Sequence, residues 1–237
     1  MKKKRIFYLI TRSEPGGAQS HVLELLKGFN DQYELILASG EDGFLLEEAR
    51  SLGIQTYLIE NLQRNLSPSN DYNAYKEIVT VLKESRPDLV HCHSSKAGIL
   101  GRLAAHRLGI KAVFTAHGWS FAEGTPLSRK LIGLLPERLL AYWTDYIITV
   151  SDTDRDLAIR YRISRPEKII TIHNGIADLP LSEVNNKSEK PVTLIMVARF
   201  AAPKYYAQLI DAATGQWLND ALVLGESFYR RWDLSDL

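Results

Sequence analysis

The chain of 237 residues carries 29 Lys and Arg against 28 Asp and Glu, a balance that sets up no global field for nucleic acid or acidic polymers. Its 45% hydrophobic and 24% charged content is that of a soluble globular protein with ample core material, which excludes disorder as the bulk state. The lone cysteine, Cys92, excludes an intrachain disulfide framework, suits a reducing compartment and, set in an apolar run, reads as a buried inert thiol.

The N-terminus MKKKRIFYLI is basic and then apolar only over residues 6–10. A signal-peptide core needs ~7 to 15 apolar residues, so secretion is not expected. No run approaches the ~20 apolar residues of a membrane span. The expected location is cytoplasmic, at most peripheral on the cytoplasmic membrane face.

A first strand over residues 5–10 leads into TRSEPGGAQSHVLELL, where Gly16 and Gly17 open a helix expected to run to Phe29. Glycines there let the backbone approach a ligand closely, and the free N–H groups of a helix start favour a negative one. A tight turn without a ligand is the alternative. Strands follow over 34–38 and 54–59, then a helix over 70–85 that Pro87 forbids from continuing.

The next strand, over 89–91, runs into HCHSSKAG and a helix over 97–108 closed by Gly109. His93, Ser94, Ser95 and Lys96 form a polar, substrate-facing set, whereas His91 reads as a packed core residue. His-x-His spacing can indicate a metal, but no carboxylate or third histidine stands nearby in sequence, so none is expected. After a strand over 112–115 comes TAHGWSFAEG, in which His117 projects an imidazole beyond a strand end into the same cleft.

Residues 127–143, LSRKLIGLLPERLLAYW, mix Arg129, Lys130 and Arg138 with a broad apolar face and end in two aromatics. Two readings stay open: a helix pair bent at Pro136 and packed on the sheet, or a basic amphipathic surface for peripheral contact with an anionic bilayer. A strand over 146–150 precedes Ser151, which with Asp154 approximates a capping box opening a helix to Arg160. Asp152 to Asp154 in DTD could hold a cation, yet carboxylates in a first helical turn are accounted for by capping and the helix dipole. A strand over 169–172 ends in HNGI, a tight turn or hinge.

Polar, periodless residues 178–190 read as a linker. A strand over 192–197, the loop RFAAPK, a helix over 205–213 and a strand over 221–224 follow. Arg199 and Lys204 flank that loop, a fork of donors and a point charge suited to a diphosphate, with two solvated cations as the alternative. Strands alternating with helices give an α/β fold with a parallel sheet covered on both faces. The expected domains are 1–177, a linker at 178–190, and an incomplete second unit at 191–237.

In order, the segments GGAQSHVLELL, RPDLVHCHSSKAGILGRLAA, VFTAHGWSF, DYIITVSDTDR, IHNGI and VARFAAPK resemble glycosyltransferase family four, retaining enzymes of the GT-B type that include exopolysaccharide and capsule sugar transferases. The resemblance implies a Rossmann-like acceptor-side domain followed by a truncated donor-binding domain. It implies transfer from a nucleotide-diphosphate sugar to a glycan or lipid-linked acceptor, with no metal cofactor. By the same resemblance Gly16, Gly17, Arg199 and Lys204 meet the donor phosphates, and His117 meets the transferring sugar. The family's paired glutamates, E-x7-E, and the continuation expected after residue 224 are absent, which puts the activity of a half cleft in question. Two alternatives stay open: an acceptor- or partner-binding module without catalysis, and a GT-B-like sugar-nucleotide epimerase or hydrolase.

Overall fold

A computed structural model of the chain describes residues 3–121, 125, 127–176, 193–194 and 232–233. The chain divides into two compact units, Met1–Asp178 and Leu179–Leu237.

In the first unit, seven strands form one parallel sheet: β1 (Arg5–Ile10), β2 (Glu34–Ser39), β3 (Gln55–Leu58), β4 (Leu89–His93), β5 (Lys111–Ala116), β6 (Tyr146–Thr149) and β7 (Ile169–Thr171). Their spatial order is β3-β2-β1-β4-β5-β6-β7, so the direction of winding reverses between β1 and β4. Crossovers diverge to opposite faces at such a point and leave a crevice beyond the carboxyl ends of the two strands.

The strands are apolar on both faces because both are covered. Along β1, Phe7 and Leu9 enter one core with Ile36, Val90, Cys92 and Ala104. Tyr8 and Ile10 enter the other, with Val22, Leu26, Leu37, Leu45 and Leu46. This is the two-residue period of a strand read by two different layers.

The helices are α1 (Gly17–Phe29), α2 (Phe44–Ser51), α3 (Pro68–Ser85), α4 (Ser95–Leu108), α5 (Leu127–Leu140) and α6 (Asp152–Arg160). Helix α4 lies unusually close to the sheet. A Cβ on Gly101 would stand 2.5 Å from Cys92 Sγ and 2.7 Å from Leu9 Cδ2, and one on Gly98 would stand 2.6 Å from the Phe114 ring. Its C-terminus closes with Gly109 at φ 67°, the left-handed cap that glycine adopts without strain.

Helix α2 has no counterpart among the expected elements. It has only eight residues, and burial of Leu45, Leu46 and Ala49 holds it in place. Helix α5 also differs from the bent pair: it runs through Pro136 as one helix and tightens to a 3-10 turn only at Ala141–Trp143. Leu134, Glu137, Leu140 and Ala141 turn inward, while Leu131, Leu135, Leu139 and Tyr142 are exposed.

In the second unit, β8 (Thr193–Leu194) pairs antiparallel with β9 (Trp232–Asp233). The strand at 232–233 is absent from the sequence-based reading. The linker 178–190, the helix over 205–213, the strand over 221–224, Arg199 and Lys204 lie outside the described residues.

Candidate active site

The crevice at the carboxyl ends of β1 and β4 is assembled from loops that the register brings level. His93 ends β4 opposite Thr115 of β5, and His117 follows two residues later. Residues His91 and His93, two apart on one strand, share a face, with ring centroids 4.2 Å apart and the rings tilted by 37°. Tyr8 flanks both, at 5.3 Å and 6.0 Å.

His93 Nδ1 and His117 Nε2 stand 3.0 Å apart, so one imidazole donates and the other accepts. His21, one turn into α1, presents its ring edge to His117 at 5.1 Å. Burial, with the neighbouring His21 as second cause, lowers the His117 pKa to about 4. His93 falls well below its ordinary value through burial and the facing His91, His117 and His21. Burial also lowers His21. The cluster is therefore neutral near pH 7, and a neutral imidazole offers one donor and one acceptor, the equipment for gripping an uncharged hydroxyl.

His91 is the core residue its sequence context suggests. It is 8% exposed, its Nε2 meets Thr115 Oγ1 at 2.8 Å, and burial lowers its pKa to about 3.

Ser94 has an additional task. Its φ of 68° is rare for a residue with a Cβ, and its Oγ lies 2.7 Å from Thr11 Oγ1 and accepts from Thr11 N at 3.2 Å. Thr11 Oγ1 in turn accepts from Ala97 N, so the ends of β1 and α4 are tied across the crevice. The Ser94 hydroxyl thus serves the framework before any substrate. Lys96 donates to Asp71 Oδ1 at 2.5 Å and to the Asn65 carbonyl, pulling α3 and its preceding loop toward α4. Ser95 stays exposed.

At the start of α1, Gly16 takes the cap position in extended backbone, with no side-chain cap and no acid in the first turn. A Cβ on Gly16 would meet Gln19 Oε1 at 2.7 Å, whereas one on Gly17 would meet nothing within 4 Å. The first-turn N–H groups thus have neither a side-chain cap nor an acidic neighbour on the helix, the state of a helix start that can receive an anion. Arg12, nearby, is already neutralised by Glu14 and Glu41.

Between these elements lies a cavity of about 480 Å³ whose wall includes Ile10, Ala18, Ser95, Lys96, Ile99 and Glu137. Behind it, Arg102 is 0% exposed, pairs with Glu137 Oε2 at 2.7 Å and caps the Phe114 ring at 4.2 Å.

Among the described residues, His21, His93 and His117 form the group that could hold a metal, with one ring nitrogen of each within 4.8 Å of the others. A metal-bound imidazole normally donates its remaining N–H to an acceptor. His93 Nε2 is buried without a partner, and its Nδ1 is committed to His117, so the set fits a hydrogen-bonded histidine pair better than a metal centre. The DTD segment is a cap: Ser151 Oγ accepts from Asp154 N at 3.1 Å and donates to Asp154 Oδ2 at 2.8 Å.

Gly16, Gly17, His93, Ser94, Ser95, Lys96 and His117 thus gather at one sheet edge. His21, Thr11 and the Arg102–Glu137 pair were not among the sequence-based candidates. His21 had a signal, since it continues the inward stripe of Ala18 and Leu25 at helical spacing. Arg102 had none.

The family model for Glycosyltransferase Family 4 matches residues 15–178. The O-antigen biosynthesis glycosyltransferase WbnH of Escherichia coli is 28% identical over 202 residues, covering 85% of this chain and 56% of that protein. The UDP-Gal:alpha-D-GlcNAc-diphosphoundecaprenol alpha-1,3-galactosyltransferase of Escherichia coli is 32% identical over 148 residues, 62% of this chain and 38% of that one. The chain therefore spans about half, or less, of the length of these curated relatives. Among solved structures, Anabaena Alr3699/HepE in complex with UDP-glucose superposes with a TM-score of 0.56 at 18% identity, over 73% of this chain and 44% of that one. That level of identity speaks to the fold alone.

Proposed function

This chain belongs to Glycosyltransferase Family 4, and on that premise we propose that it serves retaining transfer of a sugar from a nucleotide-diphosphate sugar to a glycan or lipid-linked acceptor during surface polysaccharide synthesis. The names of its relatives support the reaction class: one acts in O-antigen biosynthesis, and another is a galactosyltransferase named for a diphosphoundecaprenol acceptor. The observation that carries the reading is the neutral His93–His117 pair at the sheet edge, on the same edge as an uncapped helix start and a cavity lined by the neighbouring Ser94, Ser95 and Lys96.

Each part has a task in the transfer. The start of α1, with Gly16 and Gly17, receives donor phosphate. The family resemblance assigns Arg199 and Lys204, outside the described residues, to the donor diphosphate as well. His117 holds a hydroxyl of the transferring sugar, and His93 fixes its tautomer. The cavity next to Ser95 and Lys96 receives the acceptor. Those cations and helix dipoles take over the role a divalent ion would have, so the reaction needs no metal.

No described helix is long and apolar enough to cross a membrane. The chain works at the cytoplasmic face, with the outward leucines of α5 resting on the bilayer that presents a lipid-linked acceptor.

The test is a transfer assay on His117→Ala and His117→Gln with a nucleotide-sugar and a lipid-linked acceptor. His117→Ala lowers kcat/KM about hundredfold, the usual cost of losing one positioned donor. Adding EDTA leaves the wild-type rate unchanged. Wild-type rates for His117→Ala, or a rate abolished by EDTA and restored by a divalent ion, overturn the respective claims. Acceptor binding with no nucleotide-sugar binding in calorimetry identifies a binding module instead, and sugar-nucleotide turnover without acceptor an epimerase or hydrolase.

A further inference from the structure

Segment 117–145 crosses the sheet from the ligand edge, where β5 ends, to the opposite edge, where β6 begins. Helix α5 spans about 21 Å of that path, at ~1.5 Å for each of its 14 residues. At its far end, before β7, lies a second cavity of about 450 Å³ that the transfer chemistry does not use. Its wall brings together Arg138, Arg162, Arg165 and Lys168 beside Tyr142, with no carboxylate.

Two of these cations are anchored by backbone oxygens. Arg138 donates to the Tyr161 carbonyl through Nε at 2.9 Å, and Lys168 Nζ donates to the Thr144 carbonyl at 2.8 Å. Arg162 and Arg165 are exposed and hydrogen-bond only through their backbones, to Ile159 O and from Lys168 N; their guanidinium groups have no hydrogen-bond or ion-pair partner among the described residues. Four like charges around one hollow, in a chain of net charge +1, are a local arrangement that an anion relieves. Glu167 sits in the adjoining 3-10 turn but outside the cavity wall.

The apolar neighbour of this cavity is the outer side of α5. Leu131, Leu135 and Leu139 recur every four residues, and Tyr142 continues them; they are 51%, 58%, 62% and 81% exposed. That spacing places them on one side of the helix. A nucleic acid or a soluble anion has no use for the leucines, whereas the interface of an anionic bilayer meets leucine, tyrosine and arginine together.

We propose that the cavity formed by Arg138, Arg162, Arg165 and Lys168 receives the phosphate of an anionic phospholipid, fixing the far end of α5 while its Leu135–Leu139–Tyr142 face lies in the bilayer interface. This rests on the reading of α5 as the membrane-resting helix and adds a specific headgroup site to it. Gly133 and Glu137 of the same helix line the acceptor cavity, so the clamp sets the height of that cavity above the lipid surface.

Sedimentation of the full chain with phosphatidylcholine vesicles, and with vesicles that also contain phosphatidylglycerol, tests the site. Wild-type protein binds the anionic vesicles more tightly, and raised salt erases the difference. Arg162→Gln with Arg165→Gln loses about thirtyfold on anionic vesicles, about 2 kcal/mol at ~1.4 kcal/mol per decade, and matches wild type on neutral ones. Lysine at both positions restores most of the binding. Leu135→Ser with Leu139→Ser weakens binding to both vesicle types, and circular dichroism checks that each variant is folded. Wild-type affinity of the double glutamine variant for anionic vesicles overturns the headgroup site while leaving the helix on the membrane. Absence of wild-type binding to either vesicle overturns both. Saturable binding of inorganic phosphate without vesicle binding reassigns the cavity to a soluble anion and overturns the proposal.

Discussion

Histidines 21, 91, 93 and 117 come from α1, β4 and the β5 loop, and each is held neutral by burial. Their folded pKa values lie below the ordinary 6.5, so between about pH 4 and pH 6.5 the unfolded chain binds protons that the folded one refuses. Stability from this source is fully present above pH 6.5 and is lost as pH falls through that window. One buried histidine contributes a slope of up to about 1.4 kcal/mol per pH unit. Urea midpoints measured from pH 7 down to pH 5 fall for the wild type and fall less steeply for His91→Gln. Equal slopes for the two proteins refute the assignment of His91 as a neutral buried group. Near pH 7 the same depression keeps His117 a hydrogen-bonding imidazole rather than a cation, and the kcat/KM profile shows no inflection at 6.5 from this residue.

Helices α4 and α5 are joined by Arg102 and Glu137, whose side chains are 0% and 6% exposed. Removing one partner of such a pair strands the other charge in the core, at a cost of about 3 to 5 kcal/mol. Glu137→Ala or Arg102→Met therefore lowers the urea midpoint sharply, whereas Arg102→Met with Glu137→Met recovers most of the loss. If the double variant is no better than the worse single one, the pair is not acting as a unit. Gly101 lies on the same helix, where its added Cβ would stand 2.5 Å from Cys92 Sγ. Gly101→Ala costs about 1 to 3 kcal/mol through overpacking, because the Cys92 and Leu9 side chains it would meet are both fully buried and have little room to yield.

Across the first unit, the strand order places β1, β4 and β5 side by side at the centre of the sheet, with helices on both faces. Cys92 of β4 is 0% exposed, and burial pushes its thiol up to about 12. A group at such a depth becomes reactive only when the unit opens globally. Labelling by a disulfide reagent in native buffer is slower than in denaturing urea by at least about four-thousandfold, the factor a stability of ~5 kcal/mol imposes at ~1.4 kcal/mol per decade. Rapid native labelling would contradict a closed core around β4. The same central placement turns the switch point into a binding crevice, since the chain leaves toward opposite faces from β1 and β4.

The apolar runs of β1, β2 and β4, the helix stops at Pro87 and Gly109, and the Ser151 cap were legible in the sequence because each is a local rule about backbone dihedrals, hydrogen bonds or period. The same reading located Gly17, Lys96 and His117 at strand ends, hence at one edge of the sheet. Only the tertiary structure decided which of those groups touch. The pairing of His93 with His117, the entry of His21, the tie between Thr11 and Ser94, and the burial of Arg102 against Glu137 join residues 24 to 96 positions apart. Local propensity carries no information about such distances. They follow from strand order and register, and those are fixed by how the two apolar faces of the sheet are covered.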